Sequence, residues 1–147
     1  MHTMNTQART LLQQLRASRH LLEACGPEYE RKEQRALTML LGVPRPTFLQ
    51  RYDILFRWVS LWLLEKGYAL TNEQPHQVLA KVCGLFTSAE QVQGLVRARH
   101  GLKYEQATPS TESKATLENL LKQLKKAVET ERTERNAAPL PRQPCME

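Results

Sequence analysis

Apolar residues recur along this chain at intervals of three and four, the spacing that lines one side of a helix. In residues 5–25, Leu11, Leu12, Leu15 and Leu22 follow it, with Arg9, Gln13, Arg16 and Glu23 opposite, until Gly26-Pro27 stops the pattern. Residues 28–42 predict a shorter helix, with Tyr29, Leu37, Leu40 and Leu41 as its apolar side and Gly42, Pro44 and Pro46 closing it. Residues 47–66 predict the core helix. Phe48, Tyr52, Leu55, Phe56, Val59, Trp62 and Leu63 form one wide stripe, and Leu49, Trp58 and Leu61 leave little polar face before Gly67.

A fourth segment is expected to start near Asn72 as N-cap, with Val78, Leu79, Val82, Leu85 and Phe86 buried. Thr87 and Glu90 have capping-box spacing, which starts another helix carrying Val92, Leu95, Val96, Arg97 and Arg99. The chain is then expected to loosen through residues 101–108. The last helix begins around Thr108, Pro109 or Ser110 and carries a seam of Leu117, Leu120, Leu121, Leu124 and Val128. Its charged continuation, residues 129–135, reads as helical and solvated. These elements predict an all-α, up-and-down bundle of four to five helices. It forms one domain over residues 1–135, and the alanine- and proline-rich residues 136–147 read as a disordered tail.

Composition changes this picture little. Of 147 residues, 41% are apolar and 24% charged, as expected of a globular domain with one core. Residues 1–9 are polar, and the most apolar window, residues 54–64, is interrupted by Arg57 and Ser60. The expectation is a soluble cytoplasmic protein without a membrane span. Cys25, Cys83 and Cys145 are distant and odd in number, so they read as free thiols, with Cys83 in the core. The net charge of +6 is compatible with an anionic partner, although the basic residues are spread along every segment.

Neither metal chemistry nor a cofactor is indicated. His2, His20, His76 and His100 lack partners at ligand spacing, and no phosphate loop or nucleophile motif is present. The informative stretch is residues 96–104, where Arg97, Arg99, His100, Lys103 and Tyr104 cluster at a helix end. Arginine and lysine hold phosphate, histidine moves a proton near neutral pH, and tyrosine stacks or donates a hydrogen bond. That kit suits nucleic-acid binding, or metal-free RNA cleavage with Arg97, His100 and Tyr104 as the catalytic candidates. It also suits a helix end that simply collects cations against its own dipole.

Residues 52–68, ending Leu-Glu-Lys-Gly-Tyr, resemble the long central helix of HEPN (higher eukaryote and prokaryote nucleotide-binding) domains. Residues 95–113 and the helix after them resemble the motif and closing helices of that family. The resemblance covers roughly the C-terminal two thirds of the folded chain, and residues 26–46 have no counterpart. It implies a helical bundle, usually a homodimer whose paired motif helices form a cleft. Active members are metal-independent endoribonucleases of toxin–antitoxin, CRISPR-linked and anti-phage systems. Their signature is Arg, a polar residue, a few positions, then His, with Tyr two residues further in one toxin branch. On this chain Arg97 takes the arginine and Tyr104 the tyrosine, but Leu102 occupies the histidine's place and His100 sits two positions early.

Three functions stand as expectations. The first is a non-catalytic module that binds RNA, a nucleotide or a cognate protein in a toxin–antitoxin, mobile-element or defence system. The second is a metal-independent endoribonuclease using Arg97 and His100. The third is an interaction adaptor, motivated by surplus apolar surface at Trp58 and Leu61 on the core helix.

Overall fold

The computed structural model describes residues 5–24 and 26–137. Within them the chain is an all-α bundle with one small β-ribbon, and six α-helices surround a single core. The expectations for His2, Cys25, Cys145 and the segment after residue 137 lie outside the described residues.

Helix α1, Thr6–Ala17, starts where the Asn5 side chain accepts hydrogen bonds from the amides of Gln7 and Ala8 at 2.6 and 3.3 Å. It buries Ala8, Leu12 and Leu15 and then stops, eight residues short of the predicted end. Arg19 adopts a left-handed φ of 67°, which reverses the chain without the glycine that usually announces such a turn. The chain leaves this turn as a strand, β1, Leu21–Glu23. It pairs antiparallel with β2, Tyr68–Leu70, in the register Leu21 to Leu70, Leu22 to Ala69 and Glu23 to Tyr68. Leu15 and Leu22 fit a helical interval, and three-residue strands are too short to show alternation, so the ribbon escapes periodicity.

Helix α2, Pro27–Leu41, runs back along α3, Phe48–Glu65. A full capping box opens α3: Thr47 Oγ1 accepts from the Gln50 amide at 3.2 Å, and Gln50 Oε1 accepts from the Thr47 amide at 2.9 Å. The helix ends at Gly67, whose φ of +91° turns the chain into β2. Helix α4, Pro75–Cys83, follows Gln74 in a left-handed conformation, so its start lies three residues beyond the predicted cap at Asn72. Helix α5, Ala89–His100, is capped by Ser88 rather than Thr87, its hydroxyl accepting from the Gln91 amide at 3.2 Å. Helix α6, Thr111–Ala137, spans 27 residues and crosses the whole bundle, two residues past the predicted domain edge.

The core forms around α3. Leu55, Val59 and Leu63 are fully buried, α6 covers them with Leu117, Leu120, Leu124 and Val128, and α4 and α5 add Val78, Leu79, Val82, Cys83, Val92 and Leu95. Leu121, expected in the seam, is half-buried. Trp58 and Leu61 are 6% and 1% exposed within the single chain, so they leave no apolar surface for a partner. Cys83 is buried as expected, and burial pushes its thiol up to about 12, which leaves it protonated and inert. No helix among the described residues is long and apolar enough to cross a membrane.

The charged end of α6 is helical as expected but only partly solvated: Glu129, Thr133 and Glu134 are exposed, whereas Glu131, Arg132 and Arg135 are half-buried. Arg135 holds Glu65 at 3.0 Å and Glu30 at 3.3 Å, and Arg132 reaches Glu30 at 3.4 Å, Glu65 at 3.8 Å and the Gln34 amide oxygen at 2.9 Å. Lys66 pairs with Glu131 beside them, both nearly buried. Burial raises the Glu65 carboxyl above its usual range, against the opposing pull of Arg135 and Arg132. This clasp joins α2, α3 and α6 at one end of the bundle. Its dependence on both signs of charge is directly testable. Arg135→Ala leaves the buried Glu65 carboxylate short of a partner and is expected to cost roughly 2 kcal/mol in urea unfolding. Lys125→Ala, on the exposed side of α6, should change stability by less than about 0.5 kcal/mol.

Candidate functional site

The last turn of α5 carries Arg97, Arg99 and His100, placed where the negative end of the helix dipole favours cations. Beyond it the chain does not loosen as expected. Gly101–Glu105 continues as one widened, π-helical turn. The Gly101 carbonyl receives the amide of Gln106, which is left-handed at φ 54°, and that of Ala107 at 3.0 Å. Gly101 is buried under the returning chain, and a Cβ there would stand 3.3 Å from the Ala107 Cβ. A side chain at this position would therefore press on Ala107, while the backbone of Gly101 is itself ordinary right-handed helix.

Each step along an α-helix rotates the side chain by about 100°, so Arg97 and Arg99, two steps apart, face nearly opposite ways. Arg97 is exposed and opens onto a polar groove of about 900 Å³ between α5 and α6, shared with Glu90, Glu112, Ser113 and Asn119. Arg99 folds onto the core. Its guanidinium lies 5.0 Å above the Tyr52 ring, and Nη2 stands 3.4 Å from His76 Nε2. His76, in the first turn of α4, packs its ring 5.2 Å from Phe56 and 6.0 Å from Tyr52. On the other side, His100 packs against Tyr104 with ring centroids 4.8 Å apart, and Tyr104 is 69% exposed.

The electrostatics reflect this packing. Tyr52 is 1% exposed, and burial raises its phenol to about 12 although Arg99 pulls the other way, so the hydroxyl stays neutral. Burial lowers the His76 imidazole first, and the cations Arg99 and Lys103 lower it further against a weaker pull from Asp53. A guanidinium can only donate, so His76 Nε2 faces Arg99 as an unprotonated acceptor.

Of the five candidate residues, Arg99 stands against His76 and the charge of Lys103 also bears on that imidazole, while His100 and Tyr104 form a second, outer pair. Arg97 opens onto the separate groove. Leu102 is half-buried and has no proton to transfer. Tyr52, Phe56 and His76 are not legible from the sequence as site residues. The first two look like ordinary members of the α3 stripe. For His76 a partial signal exists, because it precedes Leu79 by three and Cys83 by seven and so lies at the N-terminal edge of their side of α4, although His76 itself stays exposed.

Comparison with protein-family models, with curated proteins and with solved structures finds no match for this chain.

This geometry makes stability depend on pH and on a single glycine. Because the folded imidazole of His76 titrates below its unfolded value near 6.5, the fold binds fewer protons there than the unfolded chain. The contribution of neutral His76 is complete above about pH 6.5 and is lost as pH falls toward the folded value. Urea unfolding at neutral and at mildly acidic pH should thus show wild type losing more stability than His76→Gln. Gly101→Val should crowd Ala107 and lower stability by roughly 1 to 3 kcal/mol, read in the same titration at neutral pH.

Proposed function

We propose that this chain is a non-catalytic, HEPN-like module that binds RNA or a nucleotide through the surface made by Arg99, His100, Lys103 and Tyr104. A homodimer working in a toxin–antitoxin, mobile-element or defence system is the setting we infer from the same resemblance. The observation that carries the binding reading is the alternation of cations and aromatic rings where α5 passes into its widened turn. Lys103 supplies exposed positive charge, and the His100–Tyr104 pair offers a ring face to solvent. Unpaired bases stack on such rings while cations hold the phosphates between them. Arg99, fixed against Tyr52 and His76, adds a positioned charge behind this face.

Cleavage is the weaker reading. It needs an arginine on the phosphate and a histidine free to move a proton. Leu102 stands in the motif position, and Arg99 occupies the Nε2 of His76. His100 lies about one helical turn beyond Arg97, which keeps a shifted Arg97–His100 arrangement as the single route to catalysis. The adaptor reading loses its motive on the core helix, because Trp58 and Leu61 are core residues.

Titrating a labelled single-stranded RNA with the protein at increasing salt tests the proposal. Binding should weaken steeply with salt, Lys103→Ala should flatten the salt slope by about 0.7, and Tyr104→Ala should weaken binding roughly tenfold. Salt-independent binding, or binding indifferent to both substitutions, rejects the site. In the same samples RNA should stay intact in the presence of chelator. Cleavage that disappears in His100→Ala would instead establish the nuclease.

A further inference from the structure

Away from the α5 edge, the first turn of α1, the C-terminal half of α3, the α4–α5 connection and α6 enclose a cleft of about 430 Å³. Its inner wall is apolar. Trp62, 4% exposed, meets Phe86 edge to face with ring centroids 5.9 Å apart at 80°, and Ala8, Leu85 and Ala127 complete the wall. The polar groups around it are mostly donors with nothing to donate to. The Trp62 indole N–H finds no acceptor among the described residues, although a buried indole ordinarily has one. Lys126 is exposed at the rim, and among the described residues no carboxylate lies within ion-pair distance of it. Asn5 commits its Oδ1 to the amides of Gln7 and Ala8, which leaves its Nδ2 hydrogens. The one carboxylate lining the cleft, Glu131, is already held by Lys66, whose ammonium also lies 5.4 Å from the Trp62 ring. Gln123 and Thr130 can donate or accept and so leave this balance unchanged.

We propose that this cleft binds a small aromatic carboxylate, its ring against Trp62 and Phe86 and its carboxylate toward the indole N–H, Lys126 and Asn5. Such a lining asks for hydrogen-bond acceptors and an apolar body in one molecule. A neutral hydrocarbon would bury the indole donor unpaired, and a cation would find the Glu131 carboxylate taken. A nucleic-acid strand would meet Lys126 but leave the aromatic wall uncovered. The volume falls within the range of small-molecule sites, about 300 to 1,000 Å³. A protein partner needs apolar surface around the cleft as well as inside it. None of the exposed large apolar residues, Leu22, Tyr29, Met39, Leu41 and Tyr104, borders it. An aromatic body suits the wall better than an alkyl chain, because a third ring adds edge and face contacts to the Trp62–Phe86 pair. The cleft shares no residue with the surface proposed for RNA.

Isothermal titration of the full-length protein with naphthalene-2-carboxylate at low salt tests the assignment. One site with a Kd on the order of 0.1 mM is expected, and the neutral naphthalene-2-carboxamide should bind about tenfold more weakly. Lys126→Ala should weaken the carboxylate roughly threefold to fivefold, whereas Lys125→Ala, which removes the same charge outside the cleft, should not. Trp62→Phe keeps a ring but removes the donor and should cost about threefold to tenfold. Thr130→Trp, at an exposed position on the cleft wall, should abolish binding by filling the space while Tm stays that of wild type. Lys103→Ala and Tyr104→Ala should leave this binding unchanged, which separates a failure here from a failure of the RNA site. The proposal is overturned if the carboxylate does not bind saturably, or if carboxylate and carboxamide bind alike. Decanoate binding more tightly than the aromatic acid would also overturn it. So would binding that emerges only when residues 1–4 are deleted, since the chain itself would then be the occupant.

Discussion

Helix α3 is apolar on almost every side, and water must be excluded from all of them at once. One neighbouring helix covers only a stripe of such a cylinder, so α6 and α2 flank it while α4, α5 and the ribbon close what they leave open. Each large side chain fully buried there contributes roughly 1.5 to 3 kcal/mol, and Leu55, Val59 and Leu63 are buried completely. Ser60, buried on this helix, returns its hydroxyl to the Phe56 carbonyl at 3.0 Å and leaves no unmet donor. The order of the other elements is set by this demand for cover.

At the far end of α3 the apolar stripe gives way to Glu65 and Lys66, and the packing becomes ionic. Arg132 and Arg135 of α6 meet carboxylates from two other helices, so the clasp fixes how far α6 can slide along the bundle. Buried ion pairs offset their own desolvation only when every partner is present, which makes this region a locator of register more than a source of stability. It also accounts for the exposed charge of α2. Once Glu30 and Glu33 are committed to inward arginines, Arg31 and Lys32 between them face solvent.

The opposite end of the molecule shows how a small backbone irregularity arranges charge. The π turn after His100 keeps the chain helical long enough for Tyr104 to return over the His100 ring and for Lys103 to bear on His76. Gly101 permits it because the chain passes directly overhead. Arg99 meanwhile lies on a neutral phenol and a neutral imidazole, where its charge is held in place without being cancelled. The result is a basic, aromatic edge built from α3, α4, α5 and the turn together.

Much of this was legible in the residues alone. Leucine spacing in α1, α3 and α6 and the stop at Gly67 are local signals, and local energetics is enough to decide them. Helix α3 reads as the core helix because its apolar stripe exceeds what any surface helix needs. The cluster at Arg97 to Tyr104 was visible as composition, but not its division. Which cation faces the core depends on where Tyr52 and His76 lie, many residues away, and helical spacing carries no record of that. The same limit hid the ribbon, because β1 exists only by pairing with β2 across 47 residues of chain from Leu22 to Ala69. It also hid the inward turn of Glu30, Glu33, Arg132 and Arg135. The sequence by itself determined most of the helical segments, residues 18–24 and 101–105 apart, and which helix lies at the centre, since backbone capping and hydrophobic periodicity act between near neighbours. Only the tertiary structure decided which charges remain outside, because a charge's partner is chosen by packing between segments and not by position along one.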